Sequence, residues 1–292
     1  MDPNRLGLFD SKNKILKDRL ALVKQNKEVI AGKEILVKDL GGWHLCGGAV
    51  LCFCCAVLTV SPGLQISWLT VFVIEYAGPI FINLAFLFLR RYIYRTEAPL
   101  SISQQLTMGM VVLHFIKREY ETLFVHKFSL TTMPFRNIFK NSAHYWILSG
   151  ANLAYWVYAP NSYATIETPT TQYLDIAGVV LYLFGELSNL HTHVTLSKLR
   201  SRGGTERGIP KGYGFGLVTC PNYLFEVIAW TGVLLVSRSL STLIFIIFAW
   251  AQMHQWAIKK EKALRTEFPD TYQKKKYVLL PSPGAVIKAL TG

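Results

Sequence analysis

The residues best suited to chemistry lie at the start of a long apolar run, in the segment Thr219–Trp230. If a helix begins at Pro221, a residue favoured in a first helical turn, Asn222 and Glu226 are i, i+4 neighbours on one face, and Tyr223 lies one step round from it. A phenol can act as a general acid or donate a hydrogen bond to a developing anion. Polar groups in a segment long enough to cross a bilayer usually mark a functional site. The alternative is that Tyr223 is one of the aromatic residues common at membrane boundaries.

A second ionisable residue, Glu75, lies within the apolar segment Ile66–Leu89. A lone carboxylate in such a segment must face a partner or a watery cavity. There it could donate a proton, orient a nearby phenol, or form a helix-packing hydrogen bond. Gly78 and Pro79 follow it and predict a kink in the helix.

The composition is that of a membrane protein. The chain has 292 residues, of which 51% are hydrophobic, and its formal net charge is +13. The apolar residues occur in long blocks, which excludes an ordinary soluble domain. The basic residues lie between these blocks, where they face anionic lipid headgroups or hold an anionic ligand. No nucleic-acid-binding module is recognisable, so no nucleic-acid partner is expected.

Cysteine usage indicates neither a metal site nor a disulfide framework. Four of the five cysteines fall in one apolar block, and Cys220 opens the segment described first. No pair has zinc-ligand spacing with a matching second pair. The polar N-terminus shows no cleavable signal peptide.

The long apolar blocks predict an all-α multi-pass membrane protein with six or seven transmembrane helices. A short β-rich segment precedes these helices, and a charged tail, Lys259–Lys276, follows them. The candidate spans are Trp43–Val60, Ile66–Leu89, Gln104–Ile116, Tyr145–Tyr158, Tyr173–Asn189, Phe215–Val236 and Leu240–Ile258.

Loop charges predict an orientation. Ala159–Gln172 contains no Lys or Arg, whereas Lys117–Asn141, Lys198–Lys211 and the tail are strongly basic. The positive-inside rule places the basic segments and the C-terminus in the cytoplasm. The lysine-rich start of the chain should also be cytoplasmic, which requires an even number of crossings before Lys117. Either Trp43–Val60 or Gln104–Ile116 is therefore not a normal span.

Several exact motifs are familiar, and together they cover the chain from Leu64 to about Pro281. They are Gln-Ile-Ser-Trp (65–68), Glu-Tyr-Ala-Gly-Pro (75–79), Glu-Thr-Leu-Phe-Val-His-Lys-Phe-Ser (121–129), Met-Pro-Phe-Arg-Asn-Ile-Phe-Lys-Asn (133–141) and Cys-Pro-Asn-Tyr (220–223). In these runs the chain resembles the very-long-chain trans-2-enoyl-CoA reductases of microsomal fatty-acid elongation, within the steroid 5α-reductase superfamily. The resemblance implies NADPH-dependent reduction of a very-long-chain trans-2-enoyl-CoA to the saturated acyl-CoA. This is the last step of the elongation cycle, which feeds sphingolipid synthesis.

The N-terminal region departs from that family. Its members carry a ubiquitin-like domain whose last residues lead directly into Gln-Ile-Ser-Trp, whereas here residues 42–64 separate Lys38–Gly41 from that motif. We therefore expect residues 1–41 to be a truncated ubiquitin-like cytoplasmic segment. Residues 42–64 are interpreted as an apolar insertion, either a gene-model artefact or an extra span, and residues 65–292 as the membrane catalytic domain.

The resemblance also assigns roles to single residues. Tyr223 occupies the position of the family's proton donor, and Glu75 that of a required acidic residue. No Gly-x-Gly-x-x-Gly follows a strand, so a Rossmann site is not expected. The superfamily instead holds NADPH within its helical bundle near the cytoplasmic mouth. The residues implied in cofactor binding are Arg118, Asn189, His193, Arg200, Arg207 and Asn222.

Two positions differ from the steroid reductases in this comparison. His193 stands where they have an Asp, and Phe115 stands where they have a tyrosine that contacts substrate. The second difference favours an acyl-CoA substrate. A steroid or polyprenol double-bond reductase on the same fold and an inactive paralogue remain the alternatives, while the Glu-Tyr-Ala-Gly-Pro motif argues against a methyltransferase.

The resemblance further implies a location and partners. It predicts a multi-pass protein of the endoplasmic reticulum membrane, in contact with the lipid bilayer. Its expected neighbours are the other enzymes of the elongase cycle: the condensing enzyme, the ketoreductase and the dehydratase.

Overall fold

A computed structural model describes residues 64–128, 131–201, 204 and 208–280 of the chain. The expectations for residues 1–41 and 42–63, and the cofactor role of Arg207, lie outside these described residues.

The described part of the chain is mostly helical, which confirms the predicted helical class. Its elements follow in the order β1 (Gln65–Ser67), α1 (Trp68–Tyr94), α2 (Ile102–Tyr120), a π-helical turn (Glu121–Val125), β2 (Thr132–Pro134), α3 (Asn137–Ala143), a π-helix (His144–Asn152), α4 (Leu153–Val157), a 3₁₀ turn (Tyr163–Thr165), α5 (Pro169–Lys198), α6 (Pro221–Ser237) and α7 (Leu240–Glu267).

Within the described ranges, two helices are long and apolar enough to cross a membrane. They are α1 and α5, and α6 is a shorter apolar helix. Helix α1 continues through Pro79, where the Asn83 side chain donates a hydrogen bond to the Pro79 carbonyl over 2.7 Å. The predicted number of six or seven spans stays a prediction.

A short antiparallel sheet fixes the start of α1. Strand β1 pairs with β2, with Ile66 opposite Met133. Met133 is buried and packs with Val71 and Ile138. The segment that follows the π-helical turn is thereby held against the first helix.

Helices α5 and α6 pack closely because glycines line their contact. A Cβ added to Gly185 would lie 2.5 Å from the Ala229 backbone nitrogen, and one added to Gly178 would lie 2.7 Å from the Gly232 carbonyl oxygen. Small residues allow this close approach of helix backbones in membranes. The two helices that carry Asn189, His193, Asn222 and Tyr223 therefore share an interface with little freedom to move.

The predicted span Phe215–Val236 was wrong at its start. Residues 215–220 are not helical, and α6 begins at Pro221. Proline is favoured at the first helical position because its missing N–H costs nothing there. The i, i+4 relation of Asn222 and Glu226 at the beginning of a helix is confirmed.

The predicted span Leu240–Ile258 is part of a longer helix that includes the first residues of the charged tail. Helix α7 continues to Glu267, and the chain then turns back toward the start of α6. We call residues 268–280 the return segment. The Thr219 and Cys220 amides donate to the Tyr277 and Val278 carbonyls over 3.2 and 3.0 Å.

A buried carboxylate secures the return segment. Glu261 accepts hydrogen bonds from the Thr219 hydroxyl (2.6 Å) and the Tyr272 hydroxyl (2.5 Å). Its other oxygen accepts from the Lys275 amide over 3.3 Å. Leu279 is fully buried beside Cys220, so polar and apolar contacts both hold the return segment against the start of α6.

Candidate active site

Eight polar side chains meet between α2, α5 and α6, and we call them the inner polar cluster. The members that α2 and the turn after it contribute are spaced i, i+3, i+4 and i+7. Those on α5 are spaced i, i+3 and i+7, so each set lies on one face of its helix. They are His114, Lys117, Arg118 and Glu121 from α2 and the turn after it, Glu186, Asn189 and His193 from α5, and Glu226 from α6.

Lys117 lies at the centre of the cluster. Its ammonium is 3.1 Å from Glu121 Oε1 and 3.2 Å from Glu186 Oε2, and it donates a hydrogen bond to Asn189 Oδ1. The contact with Asn189 is a hydrogen bond, and the two carboxylates are ionic partners of the ammonium. Lys117 thus joins α2 to α5 and fixes which end of the Asn189 amide is the acceptor.

Asn189 joins α5 to the start of α6. Its Nδ2 donates to the Asn222 carbonyl over 2.7 Å and to Glu226 Oε2 over 3.0 Å. The amide therefore has both ends engaged, and it orients the turn that carries Asn222, Tyr223 and Glu226.

His114 lies between two carboxylates from different helices. Its Nδ1 is 2.6 Å from Glu186 Oε1, and its Nε2 is 3.3 Å from Glu226 Oε1. The ring also packs edge-on against Trp230, with 5.1 Å between centroids. Hydrogen bonds to charged acceptors are stronger than those between neutral groups. His114, which belongs to α2, therefore holds α5 and α6 together.

Arg118 links the cluster to α1. Its guanidinium contacts Glu121 Oε2 at 2.8 Å and His193 Nδ1 at 3.3 Å. It also donates to the Tyr76 hydroxyl over 2.9 Å. Burial alone would raise the pKa of Glu121, but the contact with His193 and the charges of Arg118 and Lys117 hold it well below its usual range.

Glu121, His126 and His193 offer three atoms of a kind that ligates metals, all within 4.8 Å of one another. Arg118 already occupies this group as a cation, since it contacts both Glu121 and His193. Burial, followed by the positive charge of Arg118, lowers the pKa of His126 to about 3, so this imidazole is neutral at physiological pH. A metal ion would have to displace the guanidinium.

Tyr223 and Glu75 lie beside the cluster, each within electrostatic range of Arg118. Among the described residues, nothing forms a hydrogen bond with the Tyr223 hydroxyl, although the charges of Arg118 and Glu226 act on it. The Tyr223 ring packs 6.3 Å from that of Trp256. Glu75 is 1% exposed, and its Oε1 has no hydrogen-bond partner in the described part of the chain.

Comparison with known proteins identifies the family. Residues 131–282 match the family model described as 3-oxo-5-alpha-steroid 4-dehydrogenase. The chain is 43% identical over 266 residues to a very-long-chain enoyl-CoA reductase of Dictyostelium discoideum, an alignment that covers 90% of this chain and 84% of that protein. The chain belongs to the 3-oxo-5-alpha-steroid 4-dehydrogenase family.

Two further relatives have names of the same kind. A provisionally named enoyl reductase of Schizosaccharomyces pombe is 45% identical over 219 residues, which are 75% of this chain and 73% of that protein. A trans-2,3-enoyl-CoA reductase-like protein of Mus musculus is 32% identical over 232 residues, which are 75% of this chain and 62% of that protein. The resemblance found in the sequence is therefore confirmed.

The structure brings most of the expected site residues of this 3-oxo-5-alpha-steroid 4-dehydrogenase family member together. Arg118, Asn189 and His193 belong to the inner polar cluster, and Asn222 is joined to it through its carbonyl. Arg200 does not contact the cluster. Its guanidinium donates to the Lys127 carbonyl over 3.2 Å, and its backbone carbonyl accepts from the Lys127 ammonium. Arg200 therefore anchors the segment that also contains His126.

Sequence reasoning missed several members of the cluster. His114, Lys117, Glu121 and Glu186 were not among the candidate residues, and Lys117 was interpreted as a charge that ends a span. The spacing of His114, Lys117 and Glu121 could have indicated them, because residues three and four apart lie on the same face of a helix. A charge that only ends a span requires no such spacing. Glu186 precedes Asn189 by one turn and could have been found in the same way.

Proposed function

We propose that the chain reduces very-long-chain trans-2-enoyl-CoA to the saturated acyl-CoA with NADPH. The observation that carries this proposal is the Tyr223 hydroxyl, which forms no hydrogen bond with any of the described residues. It lies on the same helical turn as Asn222 and Glu226, at the edge of a buried cluster that contains two cations. That arrangement offers a proton donor next to groups able to hold a charged dinucleotide.

The residues present fit such a cofactor. Its phosphates need cationic donors, which Arg118 supplies in a fork geometry. Its carboxamide needs both a donor and an acceptor, which Asn222 and Glu226 offer on one helical face. When bound, NADPH supplies the hydride that is added to the β-carbon.

Tyr223 then acts as the proton donor. Hydride addition places negative charge on the thioester oxygen, and the α-carbon must gain a proton. The Tyr223 O–H has no competing acceptor among the described residues, so its proton can be donated to that carbon or to the enolate oxygen. Glu75, with one buried oxygen unpartnered, orients this proton transfer or contributes to it.

The surroundings of Phe115 favour an acyl chain over a sterol. Phe115 is fully buried, with ring centroids of Tyr76, Tyr145 and Trp230 at 6.3, 6.0 and 6.2 Å. This group of aromatic rings has no hydroxyl at position 115 that could bind the ketone of a sterol. An apolar acyl chain needs no such partner.

The cellular setting follows from the same proposal. The protein resides in the endoplasmic reticulum membrane as a multi-pass protein with six or seven spans and a cytoplasmic C-terminus. It acts beside the condensing enzyme, the ketoreductase and the dehydratase of the elongation cycle, and its product feeds sphingolipid synthesis. The excess of basic residues in the predicted cytoplasmic segments supports this orientation.

The test is oxidation of NADPH by purified membranes supplied with a very-long-chain trans-2-enoyl-CoA. We expect Tyr223→Phe to lower the rate by about 10²–10⁴-fold, the usual contribution of a general acid. Tyr92→Phe, at an exposed position of α1, is the matched control and should keep the wild-type rate. An unchanged rate in Tyr223→Phe would assign the acid elsewhere, with Glu75 next to be tested. Wild-type activity with a sterol enone and none with the enoyl-CoA would establish the alternative substrate class.

A further inference from the structure

The contacts of the inner polar cluster close into a ring. Glu186 contacts His114, His114 contacts Glu226, and Glu226 accepts a hydrogen bond from Asn189. Asn189 in turn accepts from Lys117, whose ammonium returns to Glu186 at 3.2 Å. Five side chains from three helices therefore fix one another, and every member has two neighbours in the ring.

Glu186 has a distinct place in this ring. It lies one turn before Asn189 on α5, beside Gly185, whose backbone packs against Ala229 and Phe225 of α6. Asn189 and Glu226 both reach the turn that carries Asn222, whereas the contacts of Glu186 are with His114 and Lys117. Glu186 is therefore connected by contact to the cofactor-facing groups through these two neighbours.

We propose that Glu186 is a positioning residue for NADPH binding, which rests on the proposed function. It holds His114 and Lys117 on its own side of the ring. In that position His114 orients the Glu226 carboxylate, and Lys117 orients the Asn189 amide. The side chains that face the cofactor are thereby set before it binds.

Competition between carboxylates gives the physical reason. Lys117 lies within electrostatic range of Glu226 as well as Glu186 and Glu121. His114 already contacts Glu226, and without the charge of Glu186 both the imidazole and the Lys117 ammonium would be drawn closer to that carboxylate. Glu226 would then face two protein cations, and the Asn189 amide would lose the donor that fixes its orientation.

The decisive variant is Glu186→Gln, which keeps the shape of the side chain and removes its charge. We expect the dissociation constant for NADPH, measured by fluorescence titration of purified protein, to rise by at least about tenfold, since hydrogen bonds to charged groups are worth that much or more. The KM for NADPH should rise in parallel, while kcat at saturating NADPH changes less than about threefold. Glu167→Gln, at an exposed position just before α5, is the matched control and should bind as wild type does.

A double variant tests whether the ring acts as a unit. His114→Gln alone should weaken NADPH binding to a similar degree, and adding Glu186→Gln to it should cost little more, because the first change already breaks the path. Additive losses would overturn the proposal. If Glu186→Gln does not accumulate, His114→Gln carries the same test, and wild-type affinity in that variant would also overturn it.

The outcomes separate this proposal from the proposed function. Wild-type protein that neither binds NADPH nor reduces an enoyl-CoA would contradict the proposed function. Wild-type protein that does both, together with a Glu186→Gln variant of unchanged affinity, would contradict only the role of Glu186. A thermal unfolding midpoint close to that of wild type, measured without cofactor, would show that weaker binding does not come from unfolding.

Discussion

The Arg118 guanidinium donates a hydrogen bond to the Tyr76 hydroxyl over 2.9 Å and also lies 5.0 Å from the centre of the Tyr76 ring. Tyr76 follows Glu75 on α1, so this contact connects the helical turn that carries Glu75 to Arg118 of the inner polar cluster. An arginine held by a hydroxyl, a ring and the Glu121 carboxylate has little freedom to move.

Tyr76→Phe should therefore weaken catalysis without abolishing it. The ring remains under the guanidinium, but one hydrogen bond to a charged group is lost, which is worth about 1.5–3 kcal/mol. We expect kcat/KM for NADPH to fall by roughly tenfold or more in the membrane assay. Tyr92→Phe, at an exposed position on the same helix, serves as the control. A Tyr76→Phe enzyme as active as wild type would show that the ring and Glu121 suffice to hold Arg118.

Acid should destabilise the protein through the turn that follows α2. Burial and the charge of Arg118 lower the pKa of His126 to about 3 in the folded chain, whereas an unfolded histidine has a pKa of about 6.5. The unfolded state therefore binds the extra proton first. The contribution of a neutral His126 is complete above about pH 6.5 and is lost as pH falls toward 3. Glu121, whose pKa is also held low, acts in the same direction at lower pH.

The matching variant is His126→Gln, which cannot take up that proton. When the pH falls from 6.5 to 5, the free energy of unfolding should fall further in wild type than in the variant, by up to about 2 kcal/mol. The measurement is the thermal unfolding midpoint of detergent-solubilised protein at several pH values. Parallel curves for the two proteins would contradict the prediction.

Glu261→Gln should release the return segment. The amide can no longer accept hydrogen bonds at both of its ends, so one of the donors Thr219, Tyr272 or the Lys275 amide loses its acceptor. A buried group left without a partner costs about 1–3 kcal/mol, here in local stability. Tryptic cleavage at Lys274–Lys276 should become faster by about fivefold or more, and Asp270→Asn, at an exposed position, should leave it unchanged.

The glycine contact between α5 and α6 should tolerate no side chain. Gly185→Ala forces a Cβ to within 2.5 Å of the Ala229 backbone nitrogen, so the helices must separate. Overpacking of this kind costs typically about 1–3 kcal/mol. Gly109→Ala is a matched control, because a Cβ at that position meets nothing within 4 Å. The thermal midpoint should fall for Gly185→Ala and stay level or rise for Gly109→Ala.

The sequence predicted what a single helix determines. Pro221 marked the start of α6, and the spacing of Asn222 and Glu226 and that of Asn189 and His193 placed each pair on one face. Spacing carries no information about the opposite helix. That Glu226 would meet His114 and Asn189, and that Lys117 would have three partners, depended on how α2, α5 and α6 pack.

The tail shows a different limit. The many charges identified Lys259–Lys276 only as a charged tail, but Glu261 and Leu264 are buried three residues apart on α7. The exposed lysines around them dominate the composition and conceal this face. A buried carboxylate that captures a returning segment cannot be distinguished from a surface charge until its donors, Thr219 and Tyr272, are known.

The Tyr223 hydroxyl, which forms no hydrogen bond with the described residues, has a consequence for how this sequence can change over generations. A hydroxyl without such a hydrogen bond contributes little to the stability of the described fold. Under the proposed function, a single substitution to phenylalanine at this position would leave a protein that folds, enters the membrane and persists without activity. Selection on folding therefore does not preserve the tyrosine, and only selection on chemistry does. A duplicated copy released from that demand could become silent while still keeping its shape.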